Sequence, residues 1–462
     1  MPPWPADPVR LAAYEVLSAV SGRGAYANLL LPAALRDAGL TGRDAALATE
    51  LVYGTLRGRG TYDAIIGLCA DRDLDRIDPP VREVLRVGAH QLLGTRIKPH
   101  AAVATTVDLA AAVAGRRRAG FVNAVLRRVG TRDLESWIEI AAPSRAADPV
   151  GHLSVRYSHP RWIVSAFADA FGDESLAETE AALAADRTRP AVTLAAVPGR
   201  GNVAELVAAG AVAARWSPYG AYLPSGDPAG LATVRAGRAA VQDEASQLAA
   251  VALTKAELAP DAGPGQRWLD LCAGPGGKAR LLAGLAADSG AVLVCADARE
   301  HRAQLAAHAI AGRGEAAVVT ADGTAPAWRA AAFDRVLADV PCSGLGSLRR
   351  RPDARWRRSP ADVTALAALQ RRLLEAAVES ARPGGVIAYV TCSPHAAETT
   401  AVVGAVLADR TDVDVLDAPL VLGGVPGLRC PAPNDRFAQF WPHRHGTDAI
   451  FIALLRRAAA HQ

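Results

Sequence analysis

Trp268-Leu269-Asp270-Leu271-Cys272-Ala273-Gly274-Pro275-Gly276-Gly277-Lys278 decides how this chain folds. A short apolar run that breaks at once into glycines reads as a buried strand entering a tight turn and then a helix. Gly274, Gly276 and Gly277 permit close backbone approach and positive φ, and Pro275 stiffens the turn. The helix start that follows presents free N–H groups and a positive dipole end. The spacing matches neither the phosphate loop, which needs a longer gap and Lys-Ser/Thr, nor GxGxxG.

Downstream, apolar segments recur at 291–296, 316–321, 335–340 and 386–391, separated by helical or loop stretches. Such alternation predicts a mostly parallel, doubly wound sheet. Residues 449–455 offer a late strand, expected to run antiparallel near the end. Sheets of this kind bind ligands beyond the carboxyl ends of their strands. Asp297 ends one strand about 20 residues beyond the glycines, where an acid accepts from ribose hydroxyls. Asp322, in Thr320-Ala321-Asp322-Gly323, ends the next and suits an adenine amino group. A lone Asp after a strand more commonly caps a helix or turn, but acids at successive strand ends favour a ligand. Carboxylates without a basic clamp suit an adenosine cofactor lacking pyrophosphate, a description that S-adenosylmethionine fits.

Two further strand ends carry cysteine: Asp339-Val340-Pro341-Cys342 and Thr391-Cys392-Ser393. Either cysteine alone reads as a small buried hydrophobe. Both together, with a cofactor loop upstream, point to methyl transfer onto an unreactive ring carbon. Cytosine C5 is a poor nucleophile until a thiolate adds at C6, and covalent catalysis of this kind divides one hard step into easier ones. The thiol must ionise, which strand ends near helix N-termini or arginines promote. Asp339 suits either the N3 and N4 edge of a cytosine or the cofactor. Chemistry alone does not order the two cysteines.

Upstream, residues 8–130 read as helices. Val9, Ala12, Ala13, Val16, Leu17 and Val20 share one helical face, as do Phe121, Val122, Val125, Leu126 and Val129. Pro79-Pro80 and Lys98-Pro99 punctuate the helices between them. From 145 to 235 the signal is mixed, with a helical start at Ser158-His159-Pro160-Arg161-Trp162, a strand over 190–197 and a short helix within 201–210. Net charge is only +4, but arginine clusters at Arg116, Arg117 and Arg118, at Arg127 and Arg128, at Arg349, Arg350 and Arg351, and from Arg355 to Arg358. Those after Cys342 are expected to face nucleic acid, because the guanidinium fork suits phosphate and stacks on bases. No apolar run approaches the 18 or so residues that span a bilayer, and no signal sequence is evident at the N-terminus. The six cysteines are scattered without metal-site spacing, so free thiols in the cytoplasm and no metal are expected.

These motifs resemble the Sun family of RNA cytosine-5 methyltransferases, and the resemblance extends over nearly the whole chain. The glycine loop is similar to its cofactor motif, with Gly274 where many members have alanine. Asp339-Val340-Pro341-Cys342-Ser343-Gly344-Leu345-Gly346 and Tyr389-Val390-Thr391-Cys392-Ser393 resemble its two cysteine motifs. Val241-Gln242-Asp243-Glu244-Ala245-Ser246 and the stretch from Arg436-Phe437 to His443 resemble further motifs. Residues 8–130 resemble a NusB-type helical RNA-binding domain, a fusion found in the RsmB-type subgroup. Arg349-Arg350-Arg351-Pro352-Asp353 to Trp356 resembles that subgroup too.

The resemblance implies a multidomain chain: an all-α NusB-like domain over 1–140, an α+β connector over 145–235, and an α/β Rossmann-like class I methyltransferase domain over 236–462. It implies Cys392 as nucleophile, Cys342 in product release, and S-adenosylmethionine held by Cys272, Ala273, Gly274, Pro275, Gly276, Gly277, Lys278, Asp297, Asp322 and Asp339. The implied partner is small-subunit ribosomal RNA, with no membrane and a monomer favoured. A transfer-RNA cytosine methyltransferase and a non-catalytic RNA-binding assembly factor are the alternatives. Past Thr-Cys-Ser the family motif continues with acidic residues. Here Pro394-His395-Ala396-Ala397-Glu398 retains only Glu398, and no role is assigned to it.

Overall fold

A computed structural model describes residues 6–172, 176–259, 265–312 and 314–458. The chain divides into two units. The first comprises Met1–Ser165, Thr179–Thr188 and Leu348–Arg357, and the second Ala166–Glu178, Arg189–Ser347 and Arg358–Gln462.

Helices Pro8–Arg23, Ala27–Asp37, Gly42–Ala70, Pro79–Gly94, Pro99–Ala114 and Arg116–Val129 lead the first unit. Asp7 caps the first of these by accepting from Val9 N and Arg10 N, and Gly24 ends it in the left-handed conformation. Proline opens the fourth and fifth of these helices, Pro79–Gly94 and Pro99–Ala114, where its missing N–H goes unneeded. The face predicted from Val9 to Val20 is buried and packs on Leu51, Val52, Leu56 and Val87. Arg116, Arg117, Arg118, Arg127 and Arg128 lie exposed on the helix that buries Val122, Val125 and Leu126.

Of the arginines that follow Cys342, Arg355, Arg357 and Arg349 do not behave as expected, whereas Arg351 is exposed. Arg355 is fully buried and donates to the carbonyl oxygens of Arg57, Ser158 and Asp186. Arg357 donates to Ala25 O and Asp353 and lies over the Tyr26 ring. Arg349 is buried as well. Carbonyls shut away from water need donors, and these side chains supply them inside the first unit. Arg355, Arg357 and Arg349 therefore form no exposed phosphate-binding patch.

In the second unit, β1 (Val192–Ala196), β2 (Val212–Ala213), β3 (Gly220–Leu223) and β4 (Ala239–Val241) form an antiparallel sheet ordered β2-β3-β1-β4. A larger sheet contains β5 (Arg267–Asp270), β6 (Val292–Asp297), β7 (Ala316–Thr320), β8 (Phe333–Asp339), β9 (Ala381–Thr391), β10 (Val413–Leu416), β11 (Ala438–Gln439) and β12 (Phe451–Arg457). Its order is β10-β12-β9-β8-β5-β6-β7, with β11 beside β12. From β9 to β7 neighbours run parallel, whereas β12 is antiparallel to both β9 and β10.

The central strands are mainly apolar because both sheet faces are covered, with charged residues placed toward their ends. Helices Glu244–Lys255 and Gly277–Asp288 pack on one side through Leu248, Leu253 and Leu282. Helices Pro360–Ser380 and Thr400–Ala408 pack on the other through Leu373, Leu374 and Val403. Among the described residues, no helix is long and apolar enough to cross a membrane, and no cluster of His, Cys, Asp or Glu is arranged to hold a metal.

Candidate active site

At the end of β5 the chain turns through Gly276, whose φ of 105° only glycine adopts without strain, into helix Gly277–Asp288. Asp297, at the end of β6, braces this turn. Its Oδ2 accepts from Gly274 N and Arg302 Nε, each at 3.1 Å, and its Oδ1 from Arg299 N at 3.0 Å. Arg302 also donates to Gly274 O. A Cβ at position 274 would lie 2.4 Å from Asp297 Oδ2 and 2.6 Å from Arg302 Cβ. Glycine is therefore required here by the arginine brace. Three donors leave the Asp297 carboxylate with acceptor capacity to spare. Asp322 lies exposed after β7 and accepts at one oxygen from Thr324 N and Oγ1, bonds that hold its carboxyl below the usual range.

Two of the carboxylates around the loop, Asp297 and Asp339, are each paired with a cation, Arg302 and Lys278. Asp270 is wholly buried, and burial followed by the charge of Asp339 pushes its pKa up to about 8. Burial also pushes the Cys272 thiol well up, with Asp270, Asp339 and Asp297 adding to the effect. Lys278 is engaged by Asp339 and Arg302 by Asp297 and Gly274 O, so neither cation is presented as a clamp for a pyrophosphate. The residues fit S-adenosylmethionine, which carries a sulfonium and an ammonium, better than a phosphate-rich cofactor.

Strands β8 and β9 are parallel neighbours, with Asp339 opposite Val390. That register brings the loops beyond them together, and Cys342 Sγ stands 3.1 Å from Cys392 Sγ. Lys278 Nζ donates to Asp339 Oδ2 at 2.9 Å. Burial opposes the lysine's charge, but Asp339 and then Cys392 and Asp270 outweigh it and hold its pKa above the ordinary value. The hydrogen bond to Cys392 pushes the Cys342 thiol well up, as do burial and the charges of Cys392, Glu398 and Asp339. The pair is thus electrostatically unequal: Lys278 bears on Cys392, while carboxylates bear on Cys342. Arginines or helix ends were the expected source of thiol activation; the buried cation interacting with Cys392 is Lys278.

Gly346 N donates to Cys392 O and Gly346 O accepts from Ala449 N, both at 2.8 Å. A Cβ on Gly346 would come within 1.9 Å of Ala449 O, so only glycine permits this approach. Glu398, given no role by the sequence reading, is fully buried in the same site. It accepts from Ser343 N at 2.7 Å, from Ser343 Oγ, and from Gln370 Nε2 at 3.1 Å. The available signal is a single carboxylate among neutral residues just past Cys392. Arg302 and Asp270 are the other residues of the site that sequence reasoning passes over.

Residues 256–456 match the family described as 16S rRNA methyltransferase RsmB/F, and residues 7–131 match the NusB family. A protein of Mycobacterium tuberculosis (strain ATCC 25618 / H37Rv), described as a methyltransferase, is 53% identical over 98% of this chain and 97% of its own length. Ribosomal RNA small subunit methyltransferase B of Pseudomonas putida is 36% identical, with 98% of this chain and 99% of that protein covered. The solved structure of PH0851 shares the fold at a TM-score of 0.77 and 21% identity, covering 98% of this chain and 100% of that one. With a NusB domain ahead of a class I methyltransferase fold, the chain belongs to the RsmB/F family of 16S rRNA methyltransferases, enzymes that use S-adenosylmethionine.

Proposed function

We propose that this enzyme methylates C5 of a cytosine in small-subunit ribosomal RNA through a covalent adduct between Cys392 and C6 of the base. The observation that carries the reading is the Cys342–Cys392 pair, 3.1 Å apart, beside the Lys278–Asp339 ion pair. Two adjacent thiols next to a buried ammonium suit covalent ring activation. Cys392 Sγ, as thiolate, bonds to C6 and makes C5 nucleophilic. S-adenosylmethionine would supply the electrophilic methyl group that C5 takes up, its S–CH3 bond breaking to leave the thioether S-adenosylhomocysteine. The C5 proton then passes to a base, the C6–Sγ bond breaks, and Cys392 leaves as thiolate.

Cys342 assists that release, and the unequal charges around the pair support this division of labour. Asp339, oriented by Lys278, holds the N3 and N4 edge of the base or the cofactor. Residues 272–278 with Asp297 and Asp322 hold the remainder of the cofactor. The NusB-like domain over 1–140 and the connector over 145–235 bind and orient the RNA, leaving the chemistry to 236–462. The target base must leave its stack, which costs a few kcal/mol and less in a loop or bulge. The enzyme is expected to act in the cytoplasm.

Bisulfite mapping of ribosomal RNA from cells with and without the protein identifies the modified position. Cys392→Ala is expected to abolish transfer, and Cys342→Ala to accumulate a covalent protein–RNA species on denaturing gels. Near-normal methylation by Cys392→Ala would overturn the assignment.

A further inference from the structure

We infer that Glu398 is a positioning residue for Cys342, fixing the arch that carries this cysteine and thereby setting how fast the covalent RNA adduct resolves. The inference rests on the covalent reading above and deepens it.

Every peptide group beside Cys342 is tied to a side chain. Pro341 O, on one flank, accepts from Gln370 Nε2 at 2.9 Å. Ser343 N, on the other, donates to Glu398 Oε1, and Ser343 O accepts from Arg358 Nε at 3.1 Å. Gln370 Nε2 also reaches Glu398 Oε1, so one buried Glu–Gln pair clamps both ends of the arch. The second carboxylate oxygen takes the Ser343 hydroxyl, which lies 3.2 Å from the Ser393 hydroxyl. Ser393 directly follows Cys392, so the same network spans both cysteine loops. Tyr389, in β9, donates to the main-chain oxygen of Glu398 at 2.7 Å and holds the residue from behind.

A neutral acceptor would close such a loop at less expense, because burying a charge is costly unless donors surround it. Here the donors come from the residues next to the two cysteines. A charge-assisted network in a dry setting is stiff, and it defines the separation of the two sulfurs. The negative charge also helps keep the Cys342 thiol protonated.

The test follows formation and resolution of the adduct in Glu398→Gln and Glu398→Ala, each alone and combined with Cys342→Ala. Glu398→Gln preserves shape but puts an amide nitrogen where an acceptor is needed. We expect each single variant to resolve the adduct about tenfold more slowly, with the KM for RNA unchanged. In the Cys342→Ala background, neither should add more than about twofold. Resolution at the wild-type rate, loss of methyl transfer before an adduct forms, or an undiminished loss in the Cys342→Ala background would overturn the inference. If Glu398→Ala does not fold, Glu398→Gln carries the test. Absence of any adduct in Cys342→Ala itself would instead reject the covalent reading.

Discussion

Asp270 closes β5 with its carboxyl inside the sheet and its pKa pushed up to about 8, first by burial and then by Asp339. An unfolded aspartate titrates near 3.9. Between those values the unfolded chain has lost a proton that the folded chain retains. Stability from this group is therefore present below about pH 4 and is lost as pH rises toward about 8. Asp270→Asn cannot titrate, so it should flatten that slope and raise the melting temperature more at about pH 8 than at about pH 4. The gain is at most about 6 kcal/mol, from about four pKa units at about 1.4 kcal/mol each. Thermal melts of both proteins across this range check it. Gly346 is a second decisive residue, since its backbone bonds join the Cys392 loop to Ala449. Gly346→Ala forces a contact that backbone cannot relax, and should destabilise the protein by about 2–4 kcal/mol in denaturant titrations. The glycine is visible in the motif after Cys342, but the carbonyl it must clear comes from the far end of the chain.

At the scale of elements, the strand ends were legible because apolar runs, glycines and acids are local signals. The segments expected as strands form β1, β5 to β9 and β12, and the last runs antiparallel as expected. Which strands become neighbours was not legible. The pairing of β8 with β9, distant in sequence, is what turns two cysteine-bearing ends into one site. The Leu348–Arg357 segment shows the opposite failure, since a basic run looks solvated until its surroundings are known. Arg355 is enclosed by carbonyls, and burial lowers its pKa to about 10. Arg355→Ala should leave those carbonyls without donors and cost about 3 kcal/mol or more in equilibrium unfolding.

At the scale of the whole molecule, the modest net charge of +4 conceals exposed arginines on helix Arg116–Val129. Arg118 and Arg128 pair with Asp78 and Asp71, while Arg117 and Arg127 remain exposed on the same helix. RNA affinity should fall as salt rises, with a log–log slope of about 0.7 to 0.9 for each phosphate contact. Arg117→Ala is expected to reduce that slope by about one contact. Arg355→Ala, once folded, should leave it unchanged, and binding titrations at several salt concentrations separate the two. By itself the sequence determined the layered α/β fold, the glycine-rich turn after the first strand of the larger sheet, the helical unit with its exposed arginines and the two cysteine-bearing strand ends, because each is written in adjacent residues. Only the tertiary structure decided that the cysteines meet, that Lys278 and the carboxylates make them unequal, that Glu398 clamps one of them, and that Arg355 is enclosed. Burial and charge at a point depend on every segment packed there, and those segments lie far apart along the chain.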